Sequence, residues 1–123
     1  MRPALRRIVA VEAHRRRSGA CPRVIHALGT GESFCVVARD DGFLDVDSGI
    51  VARSEPGRIV LPDGAIAFAL EGDVAFAGFD PESRERFTGR AGGGASVTIY
   101  DAKGDWFQYA MLEWEMPAVS DRA

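Results

Sequence analysis

Apolar residues sit at helical spacing in the first part of the chain and at strand spacing afterwards. Leu5, Ile8 and Val9 fall at i, i+3 and i+4, Pro3 suits a first helical turn, and Gly19 is a natural stop. Arg15, Arg16 and Arg17 would complement the negative end of the helix dipole. This spacing predicts a helix over residues 3–17, although the β-branched run from Ile8 to Val11 would also suit a strand. Pro22 and Gly29 bracket the next short apolar segment as a proline and a glycine bracket a two-turn helix, with a strand as the alternative.

From Glu32 onward, short apolar runs alternate with Gly, Asp and Pro at intervals of about eight to twelve residues, which is the texture of antiparallel β structure. Strands are expected at 33–38, 43–46, 50–53, 58–61, 65–70, 73–79, 95–100 and 106–113. Pro62, Asp63 and Gly64 predict a tight turn between two of them. Asp101 to Asp105, with Gly104 in a left-handed position, predicts another. Asp80 followed by Pro81 and Glu82 resembles a helix start, so one or two helical turns are expected over 80–87, with a turn feeding a strand near Arg86 as the rival. Gly92, Gly93 and Gly94 predict a bend or bulge, and the tail from Pro117 is expected to fray.

The expected fold is therefore α+β: an N-terminal helix packed on a mainly antiparallel, twisted sheet or partly open β-barrel. With 123 residues the chain suits one globular domain over 1–116, made of a basic helix over 1–18 and a β-rich body over 32–116. The longest apolar stretch, Ala65 to Leu70, is far short of the roughly 18 residues that cross a bilayer. No apolar core follows the basic start as in a signal peptide, and two cysteines, Cys21 and Cys35, make no disulfide framework. A soluble cytoplasmic protein with reduced thiols is the expectation.

Charge divides the chain. Residues 1–23 hold seven of the 15 basic residues and a single acid, Glu12, while the rest carries the other 17 acids. Such asymmetry marks either a surface for nucleic acid, through Arg15, Arg16, Arg17 and Arg23, or a basic helix packed on its own acidic body. The arginines are not interleaved with aromatics, which gives the second reading at least equal weight.

Motifs for catalysis and metals are weak. Gly29 to Ser33 and Gly89 to Gly94 lack the lysine and following helix of a phosphate loop. Asp45, Asp47, Gly49 and Glu55 imitate a calcium loop, but glycine and glutamate each stand one position short of where the geometry needs them. His14, Cys21, His26 and Cys35 are zinc-ligand types at spacings that match no compact zinc motif. Ser33, Ser96 and the cysteines have no nucleophile-elbow frame around them, so an enzyme using His14 or His26 as general base ranks last.

The aromatic cluster of Tyr100, Trp106, Phe107, Tyr109 and Trp114 is more informative. In a strand, Trp106, Gln108 and Ala110 share one face while Phe107, Tyr109 and Met111 share the other, so large side chains occupy both. One of these faces must meet the N-terminal helix, a second protomer or a ligand, in that order of expectation.

Two short stretches resemble known families. Residues 12–28, where a helix gives way at Gly19 to Cys21 and Pro22, resemble the join of helix and head in pilin-like proteins, without that family's apolar anchor helix. The Arg-rich start followed by Asp45 to Gly49 is similar to PilZ domains, small β-barrels that bind a cyclic dinucleotide. Asp47 stands where that family has serine, and Ile50 where it has glycine.

The function expected from sequence is a binding or interaction module without a cofactor or metal. Its working surface would be the acidic β-body and the aromatic hairpin, with Tyr100, Trp106 and Tyr109 as contacts and a protein partner or homodimer as occupant. Nucleic-acid or cyclic-nucleotide binding through the arginines is the alternative.

Overall fold

The computed structural model describes residues 1–112 and shows why the first helix carries so little amphipathic signal. Helix α1 (Pro3–Ser18) starts with a proline in its first turn and ends at Gly19, which adopts φ 76° and donates its N–H to the Arg15 carbonyl at 2.8 Å. Leu5 and every residue from Arg7 to His14 are buried. Consecutive helical residues point about 100° apart, so an unbroken buried run means that the helix is enclosed on all sides.

The enclosure is a ten-stranded antiparallel barrel. Its strands are β1 (Val24–Ala27), β2 (Glu32–Arg39), β3 (Gly42–Asp45), β4 (Ile50–Glu55), β5 (Arg58–Leu61), β6 (Gly64–Glu71), β7 (Ala75–Asp80), β8 (Glu85–Ala91), β9 (Ser96–Tyr100) and β10 (Trp106–Leu112). Each pairs with its neighbours in sequence, and β1 closes the ring by pairing with β10 (Ile25 opposite Met111) and with β2 (Ile25 opposite Phe34). Closure leaves none of these strands with a free edge.

Alternation then decides what fills the lumen. Ile25, Val36, Phe43, Ala52, Ile59, Ile66, Phe68, Phe76, Phe87, Val97, Ile99, Tyr109 and Met111 point inward and pack with Leu5, Ile8, Val9 and Val11 of the helix in one core. Two inward glycines make room for rings. Gly78 faces Phe87 and Gly89 faces Phe76 across the β7–β8 ladder. A Cβ on either glycine would come within 2.3 Å of the facing ring. The two rings meet edge to face at 6.5 Å.

Three expectations change. The segment after Pro22 is strand β1 rather than a helix, because Val24 and Ile25 are needed to bridge β2 and β10. Residues 81–84 form a turn, with Arg84 at φ 59°, and feed β8, so the helical turns expected over 80–87 are absent and the rival reading holds. The α+β expectation of an N-terminal helix packed on an antiparallel sheet holds, but the sheet closes into a full barrel rather than a partly open one, with the helix enclosed by it. The remaining strands lie close to their expected bounds; Trp114 and the tail from Pro117 fall outside the described residues. Among the described residues no helix is long and apolar enough to cross a membrane.

Candidate functional site

The polar residues of the enclosed helix fall into two groups, one at each end of the barrel. At the C-terminal end the arginines close the rim. Arg15 and Arg16 pair with the fully buried Glu12 at 2.6 and 2.7 Å. Arg15 also donates to Ser54 Oγ, and Arg16 to the carbonyls of Glu55 and Arg58. Arg17 donates to the carbonyls of Ala91, Glu71 and Ala75. These are strand-end carbonyls, and the guanidinium forks join five strands, β4 to β8, to the helix terminus. Arg15, Arg16 and Arg17 thus all have partners within the molecule, while Arg23, beyond the helix, is exposed. Cys21 is half-buried beside Arg15; burial raises its thiol pKa, and the arginine offsets this in part. Cys21 and Cys35 are both free thiols.

At the N-terminal end the helix does not fill the lumen. A cavity of about 390 Å³ opens there between α1, the β1–β2 turn and the start of β10. Its inner walls are Phe34 and Phe107, its floor is Arg6, Arg7 and Tyr109, and Leu28 and Trp106 stand at the rim. Each arginine lies over one wall: the Arg6 guanidinium carbon is 3.8 Å from the Phe107 ring centre, and that of Arg7 is 4.0 Å from Phe34.

The two arginines differ electrostatically. Arg7 is buried and bidentate to Asp45, with bonds of 3.1 and 2.8 Å, and reaches Asp47 at 3.4 Å. Burial opposes its charge, yet the bonds to Asp45 and the charge of Asp47 outweigh that and raise its pKa. Arg6 has no acidic partner among the described residues. Its Nη1 donates to the Met1 carbonyl at 2.8 Å, and its Nε is buried without a hydrogen-bond partner among them. Beside it, burial raises the Tyr109 phenol pKa, and the hydrogen bond and charge of Arg6 do not cancel that rise. Among the described residues Glu32 is the sole acid lining the cavity, and it is exposed.

The structure separates the expected aromatic contacts. Trp106 is 61% exposed at the rim, whereas Tyr109 is buried in the floor. Tyr100 lies opposite Trp106 on the outer face of β9 and is half-buried. The face carrying Phe107, Tyr109 and Met111 is covered by the molecule's own helix, the first of the three expected occupants. Arg6, Arg7 and Phe34 were not foreseen as site residues; the cue was that two arginines stand within the apolar spacing of Leu5, Ile8 and Val9 rather than beyond it.

The residues of the calcium-like motif and the two histidines lie in separate surroundings. Asp45 and Asp47 are taken by Arg7, and Glu55 pairs with Arg53 and Arg58. Among the described residues no cluster of three or more His, Cys, Asp or Glu side chains could hold a metal ion. His26 Nδ1 lies 2.9 Å from Ser33 Oγ, but the pair is on the outside of β1 and β2, away from the cavity. His14 is buried within the helix. Comparison with protein-family models, curated proteins and solved structures gave no match.

Proposed function

We propose that this chain is a small-molecule-binding module whose site is the cavity at the N-terminal mouth of the barrel. One observation carries the reading: beside the N-terminal end of the enclosed helix about 390 Å³ is open, with aromatic walls and a guanidinium floor. Ligand sites have this form, a largely apolar concavity of roughly 300–1,000 Å³ with a few fixed polar groups. The rigid barrel holds those groups in place, since Phe34 and Phe107 are set by the β1–β2 and β9–β10 ladders and Arg7 is locked by Asp45.

Ligand-observed NMR with a mixed set of aromatic acids, amides and amines tests this. Ala27 lines the cavity from β1, so Ala27→Phe should fill it and abolish the signals seen with the unaltered protein. Equal signals in both proteins, or none in either, would contradict the reading.

A second occupant of the same mouth is supported by Trp106 and Leu28, which are 61% and 51% exposed side by side at the rim. A protein partner or second copy seated there would make Trp106→Ala change association state with little effect on the fold. Light scattering of the two proteins decides it: an unchanged mass for Trp106→Ala removes the self-association form.

A further inference from the structure

Resting on the reading of the mouth as a ligand site, we propose that its ligand class is a flat aromatic monocarboxylate, the carboxylate anchored by Arg6 together with the Tyr109 hydroxyl. Charge sets the sign. Arg7 is neutralised by Asp45 and Asp47, but Arg6 has no acidic partner among the described residues. Among the described residues, the Arg6 guanidinium is thus the floor cation without an ion-pair partner. The N-terminus of α1 adds to it, because the first turn contains no acidic residue and Arg2, at the N-cap, makes no side-chain cap bond. The exposed Glu32 opposes this from the rim, where solvent screens it.

Geometry sets the shape. A guanidinium fork matches the two oxygens of a carboxylate, and the Arg6 guanidinium carbon lies 3.8 Å from the Phe107 ring centre, so contact with that wall restricts where the fork can lie. The Arg6 Nε is buried without a hydrogen-bond partner among the described residues, so it does not tie the guanidinium to an acid of the molecule's own. The Tyr109 phenol, ordinarily protonated at neutral pH and more firmly so through burial, can donate to an anion. One positive charge and one neutral donor suit a monoanion better than a phosphate dianion. The aromatic walls and Trp106 favour a planar body, and the volume suits a ring or two rather than a large cofactor.

The test compares naphthoate, naphthamide and naphthylmethylammonium, which share a ring and differ in charge, by calorimetry and competition NMR. Naphthoate should bind about tenfold more tightly than the amide, and the cation least. Arg6→Gln should remove the acid–amide difference while ring binding persists, and Arg6→Lys should keep part of it. Thermal melts of both variants confirm folding. Equal affinity of acid and amide for the unaltered protein would overturn the carboxylate assignment and leave the cavity reading intact. Preference for the cation would overturn it in favour of Glu32 as anchor. If none of the three binds, the assignment fails, and the Ala27→Phe comparison separately decides whether the cavity takes ligands at all.

Discussion

At the residue scale the buried ion pair is the most sensitive point. Asp45→Ala would leave the Arg7 guanidinium buried without its bidentate partner, and breaking such a pair costs ~3–5 kcal/mol. The double variant Arg7→Met with Asp45→Leu should lose far less, which denaturant melts of the three proteins would show. Glycine positions divide in the same way. A Cβ at Gly89 would lie 2.0 Å from the Phe76 ring and 2.5 Å from the Thr98 carbonyl, so Gly89→Ala should destabilise by about 1–3 kcal/mol or more. At Gly29 nothing lies within 4 Å, and the same change there should leave the melting temperature unchanged.

Tyr109 adds a pH dependence whose sign follows from its burial. Its folded pKa is raised above the ordinary value of 10.0, so between the two values the folded state holds a proton that the unfolded state has lost. The stability it contributes is complete below about pH 10 and declines as pH rises through the folded value. Melting temperatures measured from neutral to alkaline pH should therefore fall less steeply for Tyr109→Phe than for the unaltered protein, and ultraviolet titration should show one of the two tyrosines ionising late.

At the element scale, α1 was legible as a helix but not in its placement. Pro3 and Gly19 mark its ends, whereas Glu12, His14 and Arg7 read as solvent-facing residues in any amphipathic scheme. The enclosing barrel changes their meaning, since Glu12 is satisfied by two arginines of its own helix. Strand β1 was left ambiguous because four residues carry too little periodicity to separate strand from helix. The Trp106 to Met111 alternation, by contrast, placed each side chain on the correct face, since a seven-residue strand repeats the pattern several times. An enclosed helix also makes a prediction: the barrel without residues 1–18 loses the residues that fill its lumen, Leu5, Ile8, Val9 and Val11 among them, and should not fold cooperatively. Circular dichroism of the truncated chain, with and without a peptide of residues 1–18, would check this.

At the scale of the whole molecule, the mouth site could not be seen in sequence because it forms from segments far apart in the chain. Arg6 belongs to the helix, Phe34 to β2 and Phe107 to β10, and only closure of β1 onto β10 brings the two strands to the same opening. The charge asymmetry was visible from composition, and its physical outcome is an internal one: the basic segment threads its acidic barrel, with Arg7 on Asp45 and Arg2 on Glu82 as examples. Beside the N-terminal end of the helix, the guanidiniums of Arg6 and Arg7 lie over the aromatic walls of this opening.

The most direct measurement is a titration of the nitrogen-labelled protein with naphthoate, followed through its amide and arginine side-chain signals. A ligand seated in the mouth should move the amides of Leu28, Gly29, Thr30 and Gln108 and the Nε–H of Arg6 together, and leave the amides of the far rim, Gly19 to Cys21, in place. Shifts gathered at that far rim, or scattered over the outer faces of the strands, would contradict it.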